Sequence, residues 1–218
     1  MIGCGGKKSG LEGKVVDGKG QPLANVKVAV KMSQPIKGYE QFETTTGADG
    51  MFQFGKLFPT SEYHLMFFSD RWVSDQKMKI ESGPEGQTKM LLEPVTIRFM
   101  DNKEGVIADT KTDLEWFIRP NTDISWHKAQ SWVAGLKVAG GGWRMPTLLE
   151  LRGLYIKGMG QYNIHPLFKL DVNCVWTGQQ RGSSSAWFFI FDTGEENNYP
   201  DLDCDYNFLR AFAVRSRK

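Results

Sequence analysis

The sequence predicts an all-β sandwich in its N-terminal half and an α+β domain in its C-terminal half. Three observations carry this. From Leu11 to Glu93 apolar and polar residues alternate in short runs separated by Gly/Pro/Asp clusters, as half-buried strands and their turns require. After Ser125 apolar residues recur at three and four, the spacing of an amphipathic helix. The chain has 218 residues, 40% of them hydrophobic, with 7 Trp and 14 Phe, which suits two domains of roughly 100 residues that each bury a core.

In the N-terminal part, Val26, Val28 and Val30, then Phe52 and Phe54, then Tyr63, Leu65 and Phe67, then Met78 and Ile80 mark the inward faces of six or seven strands. Asp17-Gly18 with Gly20, Ala48-Asp49-Gly50 and Gly83-Pro84-Glu85-Gly86 supply the turns. Residues 1–10 are expected to be a flexible tether, 11–93 the sandwich and 95–218 the second domain. Pro94 marks the joint, so Val95 to Met100 is expected to open the second domain.

The segment Asp101 to Asp109 carries oxygen side chains at 101, 102, 104 and 109 but lacks the alternation and terminal Glu of a calcium loop, so a solvated hairpin is expected. Ser125 should cap a helix from Trp126 to about Lys137, whose stripe is Ala129, Trp132, Val133 and Leu136. Gly140-Gly141-Gly142 then permits a tight turn anchored by Trp143. Thr147 and Glu150 form a capping box ahead of Leu148, Leu151 and Leu154. Val175 to Gly178 reads as a short strand and turn, Ala186 to Phe191 as a central strand and Leu209 to Arg215 as a closing strand, with a polar loop over 192–207.

Lys and Arg number 27 against 25 Asp and Glu, and the basic residues do not interleave with aromatics, which sets nucleic acid aside. No apolar run reaches the 18 residues of a membrane-spanning helix. No zinc-protease His-Glu-x-x-His, phosphate loop or Gly-x-Ser-x-Gly elbow is present, the last despite Ser183-Ser184-Ser185. His64, His127 and His165 lack metal-ligand spacing. The protein is therefore expected not to be an enzyme and to need no cofactor.

Residues Leu11 to Asp17, Gly20-Gln21-Pro22-Leu23-Ala24-Asn25-Val26 and Asp49-Gly50-Met51-Phe52-Gln53-Phe54 resemble the carboxypeptidase regulatory-like family, which implies a transthyretin-like β-sandwich acting as a spacer or strut. The ordered set Leu114-x-Trp116, Gly141-Gly142-Trp143-Arg144-Met145-Pro146-Thr147-x-x-Glu150-Leu151, His165-Pro166-x-Phe168, Val175-Trp176-Thr177, Ala186-Trp187 and Val214-Arg215 resembles the bacterial family found at the C-terminus of collagen-like adhesins, the Lcl C-terminal family. That resemblance implies a C-type-lectin-like fold related to the formylglycine-generating enzyme. The chain departs from the family's pattern at Val175-Trp176-Thr177-Gly178, and Phe212-Ala213 stands where a Cys often precedes the last Val-Arg. Cys174 and Cys204 also do not match the close cysteine pair of the enzyme.

The resemblance implies a non-enzymatic bacterial cell-surface protein, adhesin-like, that binds a carbohydrate or protein ligand through its C-terminal domain. The mixed acids, amides and tyrosines of 195–207 make Arg181, Tyr199, Asp203, Asp205, Tyr206 and Asn207 the expected contacts. Glu195, Glu196, Asp201, Asp203 and Asp205 could supply oxygens to calcium, although their spacing is irregular. The alternatives are a self-assembling structural subunit of a surface filament or coat, and a degenerate relative of formylglycine-generating enzymes. Met1 to Gly10 resembles the end of a lipoprotein signal with Cys4 as the lipidated residue, which implies an extracellular, outer-membrane-anchored protein. Either the start lies upstream, or Met1 is the start and Cys4 an ordinary thiol. Cys174 and Cys204 could pair in an oxidising compartment or stand as separate thiols.

Overall fold

The computed structural model describes residues 8–70, 72–102, 104–119, 122–204 and 208–217, with the backbone alone for 73–76. The chain is rich in β-structure and divides into two compact units, one formed by 1–100 with 110–112, the other by 101–109 with 113–218. Among the described residues no helix is long and apolar enough to cross a membrane.

The first unit contains β1 (Ser9–Asp17), β2 (Lys27–Met32), β3 (Gln41–Thr45), β4 (Met51–Leu57), β5 (Glu62–Phe68), β6 (Val73–Glu81), β7 (Thr88–Met90) and β8 (Val95–Ile97). One sheet has the order β4-β1-β7, with β8 also on β1; in another, β6-β5-β2-β3 run antiparallel. Alternation sends Val28 and Val30, Phe52 and Phe54, and Tyr63, Leu65 and Phe67 into one core shared by both sheets. The Asp49-Gly50 turn is forced by close approach: Gly50 has φ +76°, and a Cβ there would lie 2.5 Å from the Val15 carbonyl oxygen.

Two boundaries differ from expectation. Ser9 and Gly10 are buried within β1, so the first strand includes two residues of the expected tether. Val95 and Ile97 pair in parallel with Val15 and Asp17 and join the first core, so Pro94 is not the joint. The reason is tertiary: the second half of β1 needs a partner, and Val95 and Ile97 present two inward apolar side chains to it. Thr110 reinforces this unit, its Oγ1 accepting from the Gly18 N–H at 2.7 Å and donating to the Arg98 carbonyl at 3.0 Å.

The strand β9 (Phe99–Asp101) leads into the second unit, which holds β10 (Val106–Asp109), β11 (Leu114–Ile118), α1 (Trp126–Gly135), α2 (Leu148–Leu154), β12 (Cys174–Arg181), β13 (Ser185–Ile190), β14 (Glu195–Pro200), β15 (Leu209–Arg210) and β16 (Phe212–Ser216). β11 lies between β10 and β16, and a separate sheet has the order β14-β13-β12-β15. The helix caps form as expected. Ser125 accepts from the Lys128 N–H, and Thr147 and Glu150 exchange both bonds of the capping box. After α1, Ala139 and the three glycines all take positive φ, a run that side-chain-free residues make accessible. Trp143 closes the turn by donating from Nε1 to the Val138 carbonyl at 2.9 Å.

One face of the β12–β13 pair packs Trp176, Ala186 and Phe188 against Trp126, Ala129 and Val133 of α1. Two indoles lock this layer: Trp126 Nε1 donates to the Thr177 carbonyl at 2.7 Å and Trp176 Nε1 to the Ile124 carbonyl at 3.0 Å. The opposite face carries Phe189, packed edge-on by Tyr155 at the end of α2. The expected polar loop over 192–207 is partly a strand, because β14 pairs with β13 along its whole length, from Glu195 with Ile190 to Pro200 with Ser185. β12 likewise runs past its expected turn to Arg181, through an irregularity between Trp176 and Gln180.

Candidate functional site

Strand parity decides which expected contacts can act together, since residues paired across a ladder share a face and neighbours in sequence do not. Arg181 pairs with Ser185, and Ser185, Trp187 and Phe189 alternate onto the α2 face. The Arg181 guanidinium sits over the Trp187 ring, 5.5 Å from its centroid. Asn198 pairs with Trp187 on the same face, and Glu196 beside them forms an ion pair with Arg152 of α2. No carboxylate among the described residues pairs with Arg181, which lies over the partly buried Trp187 ring.

Tyr199 belongs to the other face. It pairs with Ala186, and its ring packs 6.5 Å from Phe188 and 5.9 Å from Phe208, turned toward the core. The structure therefore separates Arg181 from Tyr199 across the thickness of the sheet.

Asp203 lies with the start of α1, where its Oδ1 is 2.8 Å from His127 Nδ1, both groups being exposed. The turn before it is pinned locally. Asp201 Oδ1 accepts from the N–H groups of Asp203 and Cys204, Leu202 is buried, and the Leu202 carbonyl accepts from the His127 N–H at 3.2 Å. Asp205, Tyr206 and Asn207, like Cys4, lie outside the described residues. Among the described residues no three His, Cys, Asp or Glu side chains converge as metal ligands would.

Cys174 and Cys204 are not bonded. Cys174 is buried at the start of β12, between Leu209 and Ile190, whereas Cys204 is exposed on the turn after β14. Burial, helped by the nearby Asp192 charge, pushes the Cys174 thiol up to about 12, which makes it a poor nucleophile.

Sequence reasoning missed Trp187, Asn198, Arg152 and His127 as neighbours of the expected contacts. The usable signal was the register of Ala186 to Phe191: in a run apolar on both faces, the odd positions end beneath a short helix that leaves Trp187 half uncovered.

The model of the Lcl C-terminal domain family matches residues 105–213. The chain belongs to the Lcl C-terminal domain family. The match takes in β10 through β15 and both helices, so the shelf and the His127–Asp203 pair lie inside the Lcl C-terminal domain. No curated protein sequence matches the chain. Among solved structures, the Bacillus anthracis TIE protein is similar at 19% identity and a TM-score of 0.31, over 42% of this chain and 16% of that one. A dioxygenase domain from a dioxygenase carbohydrate-binding protein fusion of Streptomyces sp. SirexAA-E is similar at 15% identity and a TM-score of 0.29, over 44% of this chain and 84% of that one. At these scores neither bears on what this chain does.

Proposed function

We propose that the protein is a non-enzymatic, adhesin-like bacterial surface protein whose Lcl C-terminal domain binds a carbohydrate on the outward face of β12, β13 and β14. In this reading the C-terminal unit is C-type-lectin-like and the N-terminal unit is a transthyretin-like spacer, with Cys4 as the site of a lipid anchor. The observation that carries the binding reading is Arg181 stacked on Trp187 beside Asn198. An indole face packs against the C–H surface of a sugar ring, while an amide and a guanidinium supply directional hydrogen bonds to its hydroxyl or acidic groups. The partly exposed ring and the Arg181 charge, left without a carboxylate among the described residues, are features that packing alone does not require.

A glycan panel including heparin, run on the full chain with calcium and with chelator, tests this. Saturable binding that Trp187→Ala and Arg181→Ala each weaken about tenfold or more supports the shelf. Binding that survives both substitutions removes the shelf from the reading, and its response to chelator reports on calcium. The alternative of a self-assembling filament subunit would use the edge strand β14, but Glu195, Glu196 and Pro200 on that edge weigh against strand-to-strand pairing.

A further inference from the structure

We propose that the first unit carries a site of its own, a cavity at the ends of β2 and β5 that binds a neutral saccharide. The cavity has a volume of about 480 Å³, within the range of small-molecule sites. The loop after β2, with Ser33, Gln34, Pro35 and Ile36, forms one wall, and Thr60 and Glu62 at the start of β5 form the other.

The two walls are tied to each other. The Tyr63 hydroxyl accepts from the Phe58 N–H at 3.0 Å and donates to the Tyr39 carbonyl at 3.5 Å, and the Tyr39 ring packs edge-on against Phe58 with centroids 5.1 Å apart. The loop after β2 turns on Gly38, φ +87°, where the Tyr39 N–H donates to the Ile36 carbonyl at 2.9 Å. The Thr60 N–H donates to the Gly83 carbonyl at 3.0 Å. Parity puts Ser33 and Glu62 on one side. They come next to the core pair Met32 and Tyr63 at the end of the β2–β5 ladder, so both turn outward. There Ser33 Oγ donates to Glu62 Oε1 at 2.7 Å, and the Lys79 ammonium lies 3.3 Å from the same oxygen. Gln34, Pro35 and Ile36 lie beyond the ladder.

The lining selects the ligand class. Glu62 is its charged group, with Oε1 partnered and Oε2 accepting from no donor among the described residues. An anion would face this carboxylate with no cationic side chain in the lining to offset it. A cation would compete with Lys79 for it. An apolar molecule would leave the carboxylate, the Gln34 amide and the Thr60 hydroxyl dry and unpaired. A neutral sugar meets each of these groups: its hydroxyls donate to Glu62 Oε2, pair both ways with the Gln34 amide, and leave a C–H face for Pro35 and the 39% exposed Ile36. This inference stands apart from the reading of the Arg181–Trp187 shelf, which lies in the second unit.

The test uses the full chain with maltose, cellobiose and lactose as probes, followed by calorimetry. At least one of the three is expected to bind with a Kd of about 1 mM or tighter, and to do so equally at about 50 and 500 mM salt, since a neutral ligand is not screened. Glu62→Ala and Gln34→Ala are each expected to weaken that binding about tenfold, as loss of a hydrogen bond to a desolvated group predicts. Gln34 is an exposed loop residue, so its variant reads out even where Glu62→Ala disturbs β5. Trp187→Ala should leave this binding unchanged. No binding of any of the three sugars at about 10 mM, binding unmoved in Gln34→Ala, or binding abolished by Trp187→Ala would each overturn the proposal.

Discussion

The guanidinium of Arg215 lies over the indole of Trp143, 4.4 Å from the ring centroid, while its Nη1 donates to the carbonyls of Ala139 and Gly141 at 2.8 and 2.6 Å. Its Nε donates to Glu115 at 2.8 Å, and the side chain is 7% exposed. One residue near the end of the chain thus fixes the shape of the glycine turn between the helices. Arg215→Ala strands the half-buried Glu115 and the two carbonyls, and should cost about 3–5 kcal/mol. Arg215→Lys should recover little, because an ammonium can neither stack flat nor fork to both partners. Urea unfolding of the two variants beside the parent chain checks this.

Acid should act through Glu150. Burial works to raise its pKa, but the bonds from Arg144 and from the Thr147 backbone outweigh burial and hold the carboxyl below its ordinary 4.5. Hydrogen bonds from Arg210 hold Asp171 down in the same direction. A carboxyl depressed in the folded state contributes stability that is present above its unfolded pKa and lost as pH falls through the folded one. Stability should therefore decline below about pH 4.5, with a shallower decline in Glu150→Gln. At neutral pH Thr147→Ala should cost about 1 kcal/mol through the lost cap. Thermal melts across pH 2 to 7 (a range spanning roughly the carboxylate titrations) give both numbers.

The two cysteines of the second unit should differ in reactivity. In a Cys4→Ser background, iodoacetamide at about pH 8 should label Cys204 in the native protein and leave Cys174 untouched, since burial holds that thiol protonated. Denaturant should expose both. A non-reducing peptide map that returned a Cys174–Cys204 linked pair would contradict the structure.

Gly50 and Gly20 offer a contrast in the first unit. Both have positive φ, +76° and +79°, but a Cβ on Gly20 meets open space while one on Gly50 meets the Val15 carbonyl at 2.5 Å. Gly20→Ala should cost only the left-handed strain, about 1 kcal/mol. Gly50→Ala should cost that plus displacement of β1, and a larger shift of its unfolding midpoint is the expected outcome.

On the sheet, stability and binding should separate by parity. Tyr199→Ala removes a ring packed on Phe188 and Phe208 and should cost about 2 kcal/mol while leaving the outward face intact. Trp187→Ala should weaken glycan binding with a smaller loss of stability. Parallel melts and binding isotherms distinguish the two roles.

Features set by neighbours in sequence could be read without a structure. Ser125 and the Thr147/Glu150 box cap their helices because the groups involved lie within one turn of each other. The turns at Gly18, Gly50 and Gly86 and the inward alternation of β2, β4 and β5 follow from backbone sterics and a period of two. The family blocks were legible as well, since the match over 105–213 covers most of the residues that suggested it.

Tertiary structure decided the rest, and for a common reason: each of these features depends on a partner distant in sequence, chosen by packing. β14 is polar enough to read as a loop and becomes a strand only because β13 offers it a complete ladder. Val95 and Ile97 go to the first unit because β1 has an edge to fill. Arg181 and Tyr199, placed together by composition, fall on opposite faces because side chains alternate along paired strands. Cys174 and Cys204 stay apart because one is buried among strand neighbours and the other rides on an exposed turn. By itself the sequence determined the local conformations and the family; the long-range pairings that set Arg181 over Trp187 and apart from Tyr199 came from the minimum-energy way of covering apolar faces while partnering buried polar groups.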